Sequence, residues 1–219
     1  MKLPHRSRVL FIGDSITDAG RDPSGELCPW LGDLGLGHGY VNQVWSWLTA
    51  AHPEAAIRIS NKGCSGHTVH NLAERWQRDV IDLKPDVLCV MIGINDVWRQ
   101  FDSPLQPEAG VNPEEFRETL DRLIGQARPG VQQLYLASPY FIEPNRDDPM
   151  RRRMDDYGSI VRDLAKRHGG HYIDTQAAFD AALAHLHSSA IAWDRIHPGP
   201  HGHMLIARAF LGAFGCLTD

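Results

Sequence analysis

Apolar residues fall in two rhythms along this chain, and the two alternate. Short continuous runs at Val9–Ile12, Val87–Ile92 and Leu134–Ala137 read as strands buried on both faces. Ile57 and Ile59 around Arg58 make another strand, which should exit into Asn61-Lys62-Gly63-Cys64-Ser65-Gly66, and Tyr172-Ile173 make a short last one. Stripes at helical spacing lie between them. Val41, Val44, Trp45 and Leu48 predict a helix from about Tyr40 to Ala51; Leu72, Trp76 and Val80 predict one from about Val69 to Leu83. Asn112-Pro113-Glu114-Glu115 is a helix start, with a capping asparagine and a proline in the first turn, and Phe116, Leu120, Leu123, Ile124 and Ala127 form the buried face behind it. Further helices are expected through Met154–His168, near Gln176–His187 and near His201–Phe214, with long loops over 21–39 and 99–111.

Strands that alternate with helices argue for a parallel sheet covered on both faces: an α/β three-layer sandwich with a five-stranded, flavodoxin-like sheet in the order 2-1-3-4-5. No repeat, linker or composition break divides residues 1–219, so a single domain is expected. The glycines, small polar residues and long loops follow strands one to four. In a doubly wound sheet the ligand crevice lies there, and the predicted strand order would bring Ser15, Gly63 and Asn95 together from distant parts of the chain.

Ser15 follows the first strand through Gly13-Asp14 and is the candidate nucleophile. A serine needs a base, and the base needs an orienting carboxylate. Trp193-Asp194-Arg195-Ile196-His197-Pro198 offers both: within one helical turn Asp194 and His197 would share a face. The backbone N–H groups of Ser15 and Gly63 and the side-chain amide of Asn95 are suitable donors to an oxyanion. Ile94, Trp98 and Trp193 flank these residues as candidate substrate contacts.

Taken in order and spacing, Gly13-Asp14-Ser15, Gly63, Gly93-Ile94-Asn95-Asp96 and Asp194-Arg195-Ile196-His197 resemble the four blocks of the SGNH (GDSL) hydrolase superfamily across nearly the whole chain. Ile16 stands where that superfamily usually has leucine. The resemblance implies Ser15 as nucleophile, Gly63 and Asn95 as oxyanion donors, His197 as base and Asp194 as its orienter. Asn95-Asp96-Val97-Trp98-Arg99-Gln100, Asp148-Pro149-Met150-Arg151-Arg152, Asp174-Thr175-Gln176-Ala177-Ala178-Phe179 and Trp193-Asp194-Arg195 are similar to the intracellular bacterial acetylxylan esterases of that superfamily. That narrower resemblance implies a small acetylated carbohydrate as substrate, no metal or other cofactor, and a homo-oligomer. Other esters within the same chemistry remain open: lysophospholipid, thioester or short-chain aryl ester.

Composition narrows the rest. The chain has 219 residues, 42% hydrophobic and 22% charged, with net charge −5 and no basic block, which argues against nucleic acid or an anionic membrane as partner. No signal pattern or membrane-length apolar stretch is seen, and the four cysteines form no C-x-x-C pair, so a cytoplasmic location is expected. Asp194, His197, His201 and His203 could be read as metal ligands, but Pro198 and Pro200 break the helix that would align them. A non-catalytic flavodoxin-like binding module is the rival from another class. Neither G-x-x-x-x-G-K-[ST] nor G-x-G-x-x-G is present to support it.

Overall fold

A computed structural model describes residues 1–23 and 34–217. The chain runs β1 (Arg8–Gly13), α1 (Ser15–Asp18), α2 (Tyr40–Ala51), β2 (Arg58–Gly63), α3 (Val69–Trp76), β3 (Val87–Met91), α4 (Ile94–Asp102), α5 (Pro113–Ala127), β4 (Gln133–Ala137), α6 (Pro149–Arg167), β5 (His171–Ile173), α7 (Thr175–Leu183), α8 (Ser188–Ile191) and α9 (Pro200–Ala213). All five strands are parallel, in the order β2-β1-β3-β4-β5. This is the expected doubly wound α/β sandwich.

The apolar patterning explains the layers. Every residue of β3 is buried, as a central strand between two helical layers requires. On one face α2 and α7 pack against α9. Phe11 of β1 meets Tyr40 at 5.7 Å and Phe210 at 5.2 Å between ring centres, nearly edge-on in both cases. On the other face α3, α5 and α6 pack in sequence, with Phe116 and Tyr157 at 4.7 Å.

Register then sets the mouth of the sheet. Gly13, the last residue of β1, pairs with Gly63 at the end of β2 and with Met91 at the end of β3. Three strands thus end on one rank, and the segments carrying Ser15, Cys64–His67 and Ile94–Asp96 leave from it side by side.

Several elements differ from the sequence reading. The second strand runs through Asn61-Lys62-Gly63 rather than ending before them. Asn61 is tolerated at 0% exposure because its amide donates to Thr17 O (2.6 Å) and Leu36 O (2.9 Å) and its Oδ1 accepts the Gly63 N–H. The helix expected to Leu83 is α-helical only to Trp76 and continues as a wider π-type turn over Gln77–Ile81. The loop expected from Arg99 begins later, because α4 extends to Asp102. The helix near Gln176–His187 ends at Leu183, and α8 follows separately. Of the long 21–39 segment, residues 24–33 lie outside the described residues.

Candidate active site

Asp14 caps α1: its Oδ1 accepts the Ile16 N–H at 3.0 Å. The chain therefore turns straight from β1 into a helical turn, and Ser15 is left at the carboxyl end of an inner strand. Ser15 Oγ lies 2.9 Å from His197 Nε2, and His197 Nδ1 lies 2.6 Å from Asp194 Oδ2. The sequence separation across the first of these contacts is 182 residues.

Asp194 and His197 do not share a helical turn. They belong to a tight turn in which Arg195 takes φ +63° and Asp194 Oδ1 accepts the N–H groups of Ile196 (2.9 Å) and His197 (2.8 Å). An Asx-type turn, not helical spacing, brings acid and imidazole together. Neighbours fix that turn: Tyr140 Oη donates to Ile196 O (3.0 Å), Ile142 N–H to Arg195 O (3.0 Å), and the Arg195 guanidinium bonds Glu143 at 2.6 Å. Burial works to raise the Asp194 carboxyl, but hydrogen bonds from the His197 ring and from the His197 and Ile196 backbone outweigh it and hold the pKa below its usual value. An ionised Asp194 accepts from Nδ1–H and leaves Nε2 free to accept the serine proton. The Trp98 ring stands 5.7 Å from the His197 ring, edge to face, and backs it.

The oxyanion side differs from expectation at one residue. The Gly63 N–H is donated to Asn61 Oδ1 at 2.8 Å, so it is already committed. Gly63 serves close packing instead: a Cβ there would sit 2.1 Å from Asp18 N. Three residues on, Cys64-Ser65-Gly66-His67 forms a turn closed by His67 N–H to Cys64 O (3.3 Å), with Gly66 at φ +80° and open space where its side chain would be. Among the described residues, neither the Ser15 N–H nor the Gly66 N–H has an acceptor. Asn95 is 2% exposed and spends one amide hydrogen on His67 O at 3.0 Å, which leaves the other.

Of the expected substrate contacts, Trp98 is half-buried beside His197. Trp193 is 85% exposed, and Ile94 is 1% exposed and packs into the core rather than toward solvent. Two supporting residues have no local signal in the sequence. Arg75, 5% exposed, donates to Gly13 O (2.8 Å) and Lys62 O (2.6 Å) and ties together the ends of β1 and β2. Its Nε also bonds His67 Nδ1 at 3.1 Å, and burial together with that cation holds the His67 pKa below its ordinary value. A separate polar cavity of about 220 Å³ between α6 and α7 is lined by Arg146, Arg151, Arg162, Asp155, Asp174 and Asp180. Its three arginines are already paired with these aspartates.

A parallel sheet whose inner strand presents a serine to an imidazole, itself held by a carboxylate, defines a serine hydrolase architecture. The chain belongs to the GDSL-like lipase/acylhydrolase family, whose model matches residues 11–205, and is a carboxylic ester hydrolase. It is 49% identical to the acetylxylan esterase of Geobacillus stearothermophilus over 98% of this chain and 97% of that protein. The solved structure of that esterase, Axe2, superimposes with a TM-score of 0.92 at 47% identity, covering 98% of this chain and 97% of that one. Solved variants of Axe2 described as catalytic mutants carry alanine in place of a serine, an aspartate or a histidine. LAE5, an α/β hydrolase from the metagenome of Lake Arreo, Spain, matches with a TM-score of 0.94 at 50% identity over the whole of both chains.

Proposed function

We propose that the chain is a serine esterase that removes O-acetyl groups from xylo-oligosaccharides or related carbohydrates. The observation that carries the chemistry is the unbroken chain of contacts from Ser15 Oγ through His197 to Asp194. The acetylated substrate is supported by the likeness to the Geobacillus acetylxylan esterase.

His197 Nε2 takes the Ser15 proton as Oγ attacks the acetyl carbonyl, and Asp194 stabilises the imidazolium that forms. The oxyanion is held by the Ser15 N–H and the second Asn95 amide hydrogen. The Gly66 N–H takes the place that the sequence reading gave to Gly63. The C–O bond to the sugar then breaks, and the alcohol leaves with the proton from His197. Water repeats the steps on the acyl-enzyme and releases acetate.

The test is acetate release from acetylated xylo-oligosaccharides, run beside p-nitrophenyl esters of increasing acyl length, with Ser15→Ala as control. Acetate release with poor reaction of butyryl and longer esters supports the reading. A preference for long acyl chains replaces the substrate with a lipid-like ester. Full activity in Ser15→Ala removes the nucleophile. A homo-oligomer in the cytoplasm completes the proposal. The 85% exposure of Trp193 supports association, which sedimentation of the purified protein measures.

A further inference from the structure

Asn95 and Asp96 are consecutive in the first turn of α4, and both reach across to the short segment that leads into α3. The Asn95 amide donates to His67 O at 3.0 Å, and Asp96 Oδ1 accepts the Val69 N–H at 2.9 Å. The Val69 N–H is one of the donors that a helix start leaves unsatisfied, so Asp96 caps α3 from a different helix. We propose that Asp96 is a positioning residue for the oxyanion side of the site: by holding Val69 it fixes the His67 carbonyl, which in turn aims the Asn95 amide. This inference rests on the reading of Asn95 as an oxyanion donor.

An amide NH₂ is planar, so anchoring one hydrogen sets the direction of the other. The anchor is useful only if His67 O cannot drift. A single bond from Asn95 would act as a hinge; a second, from the next residue to an N–H two positions along, removes the pivot. Asp96 is itself immobile. It is 0% exposed, and its backbone carbonyl accepts from Val111 N–H (3.1 Å) and Gln100 Nε2 (2.8 Å).

Among the described residues, the second carboxyl oxygen of Asp96 is buried without a partner, and so is that of Asp14. The titratable groups that act on Asp96 are Asp14, from the β1–α1 connection, and Tyr157, from α6. Burial pushes Asp96 up to about 7, and the Asp14 charge adds to the rise. Protonated or ionised, the carboxyl accepts from Val69 through Oδ1. The work required of Asp96 is therefore that of an acceptor, which asparagine can also do.

The experiment measures kcat and KM for p-nitrophenyl acetate in the wild type, N95A, D96A, D96N and N95A/D96A. A serine-directed phosphonate counts competent sites, and a thermal melt reports folding. N95A should lower kcat by about 10²–10³-fold, the usual loss of an oxyanion donor. D96A is expected to lower kcat by about tenfold or more with KM within about threefold, D96N to restore most of that loss, and N95A/D96A to match N95A alone. Val69→Pro gives an independent arm. It deletes the donor at a first-turn position that tolerates proline, and Thr68 already has the extended backbone that must precede one. It should reproduce the D96A loss, and add nothing to N95A. Losses that multiply in the double variant, unchanged kcat in D96A or Val69→Pro, or equal damage in D96N and D96A would each overturn the inference. Full turnover in N95A alone would remove the oxyanion reading and the inference with it.

Discussion

Two carboxyl neighbourhoods lie within this one site, one part-buried and one fully buried, and they are built in opposite ways. Asp194 receives three hydrogen bonds, from Ile196 N–H, His197 N–H and His197 Nδ1, and both of its oxygens are engaged. Asp14 and Asp96 each receive one backbone N–H and keep one oxygen bare. The consequence is electrostatic. The donors around Asp194 overcome burial and hold it ionised, whereas burial dominates at the other two and pushes each up to about 7. The same side chain thus supplies an ionised carboxylate beside the base and, beside the nucleophile and Asn95, carboxyls whose charge is disfavoured. Donor count and depth of burial together decide which.

The largest expected effect comes from removing the charged member. Asp194→Asn keeps the shape but supplies an amide that no longer favours the Nδ1–H tautomer or the imidazolium. kcat/KM for p-nitrophenyl acetate should fall by about 10³–10⁴-fold. A loss below tenfold would break the comparison, because Asp194 would then be only a turn former. At Asp14 the same exchange should be mild. Asparagine still accepts the Ile16 N–H, so Asp14→Asn is expected to stay within about threefold of wild-type turnover. A loss as large as that of Asp194→Asn would mean that Asp14 works as a charge.

The smallest effect is in stability, and its sign is opposite for the two groups. Asp14 and Asp96 titrate above the ordinary 3.8, so the stability they lend is complete below that value and is lost as pH rises toward about 7. Asp194 titrates below the ordinary value, so its contribution is present above it and is lost only on stronger acidification. His203, pushed down to about 4 by burial, runs against the first pair in the same window, because its neutral form is the buried one. The informative quantity is therefore the difference in Tm between Asp14→Asn and wild type. It should move in favour of the variant by a few degrees as pH climbs from about 4 to about 7. A flat difference would show that Asp14 is ionised throughout.

The fold was readable because strand and helix periods are local. Val87–Met91 announces a central strand, and the Tyr40–Ala51 stripe matches its helix end to end. The triad was readable from residue types, although the turn that joins Asp194 to His197 was not, since it depends on a positive φ at Arg195. Helix α4 was not anticipated, because its start doubles as the functional Gly93-Ile94-Asn95-Asp96 stretch. The commitment of the Gly63 N–H was also hidden: sequence shows that Gly63 is a glycine, not that Asn61 has taken its N–H. Arg75 illustrates the same limit. Nothing nearby marks it as buried, because the carbonyls it satisfies belong to the ends of two other elements.

The shared rank at the ends of β1, β2 and β3 bears on how this chain can change in length. Strand side chains alternate, so moving β2 by one residue would turn Asn61 out of the interior and bring a residue with a side chain to the place of Gly63 against Asp18. Deletions in the 52–57 connection therefore reach the catalytic mouth as a change of register. Insertions near Leu105, at 94% exposure between α4 and α5, extend a surface loop that sets no strand register. For library design, the second connection is the place to graft new sequence, and the first is one whose length must be kept.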